Sequence, residues 1–279
     1  MGETTDVRVT RHPGGVEDGD QLATEEPLEI RVDGDPLAVT MRTPGHDAEL
    51  AAGFCLTEGL IDHPDELERA DPCTLADYGN VVDVTLAGAA RDRWAEQRTK
   101  ARRELYLSSS CGLCGTRSID RIERRIPPLA VGFTVSPVML SRLPRRMSES
   151  QGVFAQTGGL HAAGLFHADG GVRVVREDVG RHNAVDKVVG ALLLSGQLPA
   201  GPGVLLVSGR ASFELVQKAG RAGIGFLAAV GAPSSLAVEA ARRFGMTLVG
   251  FLRGERFNVY AGGERVGDDP ASRPPSGGG

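Results

Sequence analysis

Apolar and polar positions along the chain fall into two regimes. Between about residues 28 and 105 the apolar positions are short and alternate with polar ones. Leu28, Ile30 and Val32 alternate with Glu29 and Arg31, and Leu37-Ala38-Val39-Thr40-Met41 repeats the pattern after Asp33-Gly34-Asp35-Pro36. Two alternating runs across a Gly- and Pro-containing turn predict a β-hairpin. Thr43-Pro44-Gly45 breaks the second strand, and Leu50, Ala51, Phe54 and Cys55 share one helical face, predicting a helix from about Asp47 to Leu60. Val82, Val84 and Leu86 predict a further strand, and residues 88–103 a polar helix.

In the second regime the apolar runs are continuous. Gly203-Val204-Leu205-Leu206-Val207, Gly225-Phe226-Leu227-Ala228-Ala229-Val230 and Met246-Thr247-Leu248-Val249-Gly250-Phe251 each read as a strand buried on both faces. The first two run through small-residue loops into helices, and a short strand, Phe257-Asn258-Val259-Tyr260, follows the third. Upstream, strands are predicted at Leu129–Val135, Ala162–Phe166 and Val172–Val175. Helical turns interrupted at Pro144 lie between the first two, and a helix is predicted over Val179–Leu194, opened by Asp178. Strands alternating with helices imply a sheet covered on both sides, an α/β domain. The expected organisation is a flexible N-terminus over 1–25, a small α+β domain over 26–105, an α/β main domain over 106–261 and a disordered Gly/Pro/Ser-rich tail over 262–279.

Composition narrows the class without naming it. The chain has 279 residues with 24% charged and 41% hydrophobic positions, ordinary values for a globular protein. A net charge of -5 gives no global basic field, so nucleic acid is not an expected partner. No apolar run is long enough to span a bilayer, and Met1-Gly2-Glu3-Thr4-Thr5-Asp6 carries no secretory pattern, so a cytoplasmic protein without membrane contact is expected. The four cysteines, Cys55, Cys73, Cys111 and Cys114, make no disulfide framework. Cys55 reads as a small core residue.

The remaining pair lies in Ser108-Ser109-Ser110-Cys111-Gly112-Leu113-Cys114-Gly115-Thr116, between a short apolar run and an amphipathic one. A thiol before a helix N-terminus is shifted toward the reactive thiolate, and the flanking glycines allow close approach. Between Arg91 and Arg125 ten Lys/Arg stand against five Asp/Glu, a local surplus of +5, although most of these charges fit solvated helix faces. Spacing alone ranks a redox pair first, sulfur transfer second and structural zinc third, since zinc lacks two further ligands. A zinc deaminase is disfavoured, because His161-Ala162-Ala163 has no Glu and follows the cysteines.

The loops Ser208-Gly209-Arg210-Ala211-Ser212 and Gly231-Ala232-Pro233-Ser234-Ser235 each place backbone N–H groups at a helix start, where phosphate is favoured. Ser and Gly also merely cap helices, so one such loop is weak; two in succession, with Arg210 in the first and Arg253 and Arg256 beyond, point to a nucleotide or pyrophosphate at the strand ends. In Arg176-Glu177-Asp178-Val179-Gly180-Arg181-His182-Asn183, with Asp186-Lys187 following, Asp178 can be an N-cap and His182 a surface residue, about as well as either can be functional. His161, in a Gly-Gly turn, is the better candidate for a substrate or acid/base contact.

These stretches together resemble the FdhD family, the sulfurtransferases needed for active formate dehydrogenase. The likeness is carried by Ser110–Gly115, Thr157–Ala163, Arg176–Lys187, Val207–Glu214 and Phe251–Arg256, with Thr43-Pro44-Gly45 and Thr57-Glu58-Gly59, and covers roughly residues 25–261. The resemblance implies a cytidine-deaminase-like three-layer α/β/α main domain without zinc chemistry. It implies that a cysteine desulfurase loads sulfur onto Cys111 as a persulfide, with Cys114 the second thiol. The sulfur then passes to the molybdenum (or tungsten) bis-guanine-dinucleotide cofactor, bound as substrate with no resident metal, and the cofactor enters formate dehydrogenase. Phe251, Leu252, Arg253, Gly254, Glu255 and Arg256 match the cofactor-binding stretch, and Ser208, Gly209, Arg210, Ser212 and His161 join them as expected contacts. A homodimer, and a guanine nucleotide as a mimic of the cofactor, are further implications. The competing readings are a non-catalytic cofactor chaperone and a zinc protein using Cys111, Cys114 and His161.

Overall fold

A computed structural model describes residues 2–73, 79–104, 126, 128–129 and 132–267. The predicted hairpin forms from β3 (Glu26–Val32) and β4 (Asp35–Arg42). Asp33 and Gly34 at its turn take φ of 47° and 81°, the left-handed pair that matches the twist of the strands. β3 also pairs with β6 (Val81–Leu86), and β5 (Leu67–Pro72) closes a four-stranded sheet of order β4-β3-β6-β5. β5 reads LERADP, with too little apolar content to announce a strand. Helix α1 (Asp47–Thr57) packs on this sheet, and α2 (Gly88–Glu104) is tied to it by Trp94, whose Nε1 donates to the Val32 carbonyl (3.2 Å).

The main sheet has the order β12-β11-β10-β9-β7-β8, made from β7 (His161–Phe166), β8 (Val172–Asp178), β9 (Val204–Val207), β10 (Phe226–Ala229), β11 (Thr247–Arg253) and β12 (Arg256–Ala261). β9, β10 and β11 run parallel, while β7 and β12 are antiparallel to their neighbours. The strand period divides the apolar runs between two layers. Leu205, Val207, Leu227, Ala229 and Leu248 face α5 (Arg181–Leu194), α6 (Phe213–Arg221) and α7 (Ser235–Arg243). Val204, Leu206, Phe226, Ala228 and Val249 face α3 (Pro137–Ser148) with its Leu140, Leu143 and Met147. This is the expected three-layer α/β/α arrangement.

The small sheet and the main sheet share one continuous core, because α1 lies between them and crosses α5 at closest approach. A Cβ on Gly53 would run into the Asp186 carbonyl, and one on Gly190 into that of Glu49. Each helix thus presents a glycine to the other's backbone. Gly190→Ala forces the two backbones apart, since no side chain can yield there. A loss of about 3 kcal/mol, the upper end for overpacking, is expected as a lower urea midpoint.

Several expectations change. Residues 4–23 form an antiparallel hairpin, β1 (Thr4–Arg11) with β2 (Val16–Ala23), instead of a flexible arm. Its cross-strand pairs are polar, such as Arg11 Nε with Asp18 Oδ2 (2.7 Å), so composition concealed it. The strand expected at Leu129–Val135 is reduced, among the described residues, to one bridge between Val135 and Val266. That bridge and a 3-10 turn at Gly263–Arg265 order the start of the expected tail, of which residues 268–279 lie outside the described residues. Helix α3 continues through Pro144, and a short helix α4 (Gly152–Thr157), to which the sequence pattern assigns no element, follows it. Asp178 ends β8 and Gly180 occupies the N-cap position of α5.

Candidate functional site

The carboxyl ends of the parallel strands β9, β10 and β11 lie side by side on one edge of the main sheet, the edge where open α/β sheets bind ligands. Main-chain hydrogen bonds lace the loops that follow them. The Gly231 N–H donates to the Gly209 carbonyl (2.9 Å) and the Phe251 N–H to the Gly231 carbonyl (3.0 Å). A Cβ on Gly231 would lie 2.9 Å from the Gly209 oxygen, so only glycine permits this lacing. On the other flank Ser208 donates its N–H to the Ala162 carbonyl (2.9 Å) and accepts the Ala162 N–H on Oγ (2.9 Å). This sets His161, at the start of β7, against Gly209: a Cβ there would lie 3.5 Å from His161 Nδ1.

Ser208, Gly209, Arg210, Ser212 and His161 are therefore brought together, with Arg210 exposed. Ser234 caps α7 by accepting the Ala237 N–H (3.2 Å), whereas Ser212 at the start of α6 makes no such cap with its side chain.

The stretch Phe251–Arg256 reaches the same edge from the far side of β10. Phe251 is 42% exposed and holds φ at 54°, an unusual conformation for an aromatic residue, at a break in the β11–β12 register. Arg253 and Arg256 pair across the turn that Gly254 and Glu255 form; all four are exposed, and Arg253 Nε donates to the Val230 carbonyl (3.3 Å). Leu252 departs from the expectation. It is fully buried in the core between the sheet and α3, so it anchors the strand and offers no surface to a ligand. Strand alternation explains this: Phe251 and Arg253 point out and Leu252 points in.

Behind the edge lie two buried ion pairs that join the small sheet's segments to the main domain. Lys187 Nζ sits 2.8 Å from Asp178 Oδ2 and donates to the carbonyls of Thr43 (2.9 Å) and Glu177 (3.2 Å). Asp178 accepts the Thr43 and Gly180 N–H groups and Asn183 Nδ2. Lys218 Nζ sits 2.9 Å from Asp186 Oδ2 and 3.0 Å from both Thr57 Oγ1 and Glu58 Oε1. Burial opposes the Lys218 charge, but Asp186 and Glu58 hold its pKa above the ordinary value. The Thr43-Pro44-Gly45 and Thr57-Glu58-Gly59 stretches thus serve as docking points. Burial, then Asp186 and Glu58, push the Cys55 thiol up, so it is an inert core residue.

Sequence reasoning left two side chains of the edge without a role. His182 Nε2 lies 2.6 Å from Glu214 Oε2 and 3.4 Å from Ser212 Oγ. Burial first, then Arg181, Lys218 and His161, push the imidazole down to about 4 in spite of the carboxylate beside it. Burial and Arg181 also lower His161. A signal was present: His182/Asp186 and Glu214/Lys218 repeat one four-residue spacing on successive helices.

Cys111 and Cys114 lie outside the described residues, as does their approach from residue 105. Among the described residues no group of three or more His, Cys, Asp or Glu side chains is placed to hold a metal ion, and no helix is long and apolar enough to cross a membrane.

Comparison with known proteins gives a consistent answer. The profile of the FdhD/NarQ family matches residues 23–267. A relative from Anaeromyxobacter dehalogenans, called sulfur carrier protein FdhD, is 50% identical over 275 residues, covering 95% of this chain and 94% of that protein. One of the same name from Streptomyces coelicolor is 52% identical over 261 residues, covering 88% and 89%. A crystal structure described as a formate dehydrogenase accessory protein from Desulfotalea psychrophila superposes with a TM-score of 0.74 at 28% identity, covering 94% of this chain and 98% of that one.

Proposed function

The chain belongs to the FdhD/NarQ family, and from that membership we propose that it is a sulfurtransferase serving formate dehydrogenase. A cysteine desulfurase supplies the sulfur, Cys111 carries it as a persulfide, and the molybdenum (or tungsten) bis-guanine-dinucleotide cofactor receives it while bound as substrate. The Cys111 thiolate attacks the outer sulfur of the desulfurase's persulfide and releases the desulfurase thiolate, and on onward transfer the bond between the two sulfurs breaks, leaving Cys111 as a thiolate. Cys114 is the second thiol of the loop. A cytoplasmic homodimer, one subunit per dinucleotide arm, fits a substrate with two such arms.

The observation that supports this reading most is the lacing of the Gly209, Gly231 and Phe251 loops into one edge. That edge combines the exposed Arg210, Arg253 and Arg256, backbone N–H groups at the start of α6 and an exposed aromatic ring. Arginine and helix-start N–H groups suit a pyrophosphate, and an aromatic face suits a base. Guanosine diphosphate is therefore expected to bind this chain. Removing one charge-assisted phosphate contact costs about 1.5–3 kcal/mol, so Arg210→Ala or Arg253→Ala is expected to weaken binding by roughly tenfold or more. Equilibrium binding in both variants checks it; unchanged affinity in both contradicts the placement of the cofactor here.

A further inference from the structure

A cation drawn partly out of water needs an anion or a carbonyl beside it. Among the described residues, every lysine and arginine that is not exposed has such a partner, with one exception. Arg42 lies on Glu26 and Asp47, Arg93 on Glu66, Arg176 on Glu49, Lys187 on Asp178 and Lys218 on Asp186. The exception is Arg181, the first residue of α5. It is half-buried, and its guanidinium makes no hydrogen bond or ion pair among the described residues.

The place of this side chain is set by Gly209. A Cβ on Gly209 would lie 3.8 Å from Arg181 Cδ, the last carbon before the guanidinium, and 3.5 Å from His161 Nδ1. Arg181 therefore runs against the Ser208–Ser212 loop, on the side of Gly209 that His161 also faces. The carboxylates of this region are engaged elsewhere. Asp178 holds Lys187, Asn183 and the Thr43 and Gly180 N–H groups, and Glu214 holds His182. After burial, the Arg181 charge is the next cause that lowers both His161 and His182, so its field reaches both rings. A half-buried guanidinium without an anion works against folding. Its position against a ligand loop gives that cost a use, since binding sites keep groups that the fold alone would not.

We propose that Arg181 is a phosphate-binding residue, whose guanidinium holds a phosphate of the ligand at the Ser208–Ser212 loop, on the His161 side of Gly209. The inference rests on the reading of this edge as a phosphate site. A guanidinium presents its donors in a planar fork that fits two oxygens of one phosphate. Arg210, within the loop, is exposed, whereas Arg181 is half-buried, and the same ionic contact is stronger where water is partly excluded. The phosphates are then met by cations from three elements: the loop after β9, the start of α5 and the β11–β12 turn. Because Arg181 has no partner in the free protein, no ion pair has to break before the ligand binds.

Equilibrium binding of guanosine diphosphate to the full chain, with Arg181→Gln and Arg142→Gln as variants, tests this. Arg142 is exposed on α3, the helix on the opposite layer of the main sheet, so its variant removes the same charge elsewhere. Arg181→Gln is expected to weaken binding by roughly tenfold or more, and Arg142→Gln to bind as the parent does. The urea midpoint of Arg181→Gln is expected to equal or exceed the parent's, because no partner is lost. Parent affinity in Arg181→Gln overturns the proposal, while weakened binding in Arg210→Ala and Arg253→Ala keeps the phosphate site. Equal weakening in Arg181→Gln and Arg142→Gln reports net charge alone and overturns it. An Arg181→Gln chain that does not fold, or unfolds at a much lower midpoint, assigns the residue to the fold and overturns it as well. A parent that fails to bind the nucleotide overturns the site reading and this inference with it.

Discussion

A chain carrying Cys111→Ala is expected to fold, to bind guanosine diphosphate as the parent does, and to leave formate dehydrogenase inactive. The nucleotide contacts assigned to the sheet edge come from His161, Ser208–Ser212 and Phe251–Arg256, so loss of the Cys111 thiol leaves them in place. Loss of a covalent carrier removes the step itself and does not merely slow it, so client activity is expected to fall by on the order of a thousandfold or more. Formate oxidation in extracts matured with either chain measures it. Normal activity with Cys111→Ala ends the persulfide assignment.

The second large effect concerns the joint between the small sheet and the main domain. Lys187→Met keeps most of the apolar stem and removes the ammonium, leaving Asp178 buried without its ionic partner and the Thr43 carbonyl without a donor. Breaking a buried pair from one side costs about 3–5 kcal/mol, a large share of the stability of an ordinary domain. The measurement is a urea unfolding curve, expected to show a much lower midpoint. The double variant Lys187→Met with Asp178→Asn, which removes the stranded charge, is expected to recover part of the loss. A single variant as stable as the parent contradicts the structural role of this pair.

These outcomes also mark what was legible in the sequence. The three continuous apolar runs announced the central strands, because a strand buried on both faces has no polar period to hide it. The hairpin at Asp33-Gly34 was legible from its turn. The hairpin over residues 4–23 was not, because its pairing rests on backbone hydrogen bonds and exposed polar contacts that leave no apolar trace. At the edge, the Ser208–Ser212 loop with Arg253 and Arg256 is read from loop chemistry, and the rest of Phe251–Arg256 only from the family resemblance. Leu252 was carried along by its motif, although the alternation of its strand already turned it inward.

His182 and Glu214 are 32 residues apart in sequence, and only the packing of α5 on α6 brings them to 2.6 Å. From sequence, Asp178 reads as an N-cap or a functional residue, and Lys187 has no assigned place. Their burial follows from the crossing of α1 over α5, which the paired glycines Gly53 and Gly190 permit. A small residue on a helix does not say what will press against it.

Sulfur carried by the Cys111 thiol is the step on which formate dehydrogenase maturation by this chain depends. Incubation of the purified chain with a cysteine desulfurase and cysteine, followed by mass spectrometry of its peptides under non-reducing conditions, tests this most directly. The expected result is a gain of one sulfur on the peptide containing Cys111, absent after reduction and absent from Cys111→Ala. A parent chain that gains no sulfur, or gains it equally in the Cys111→Ala variant, contradicts the carrier role.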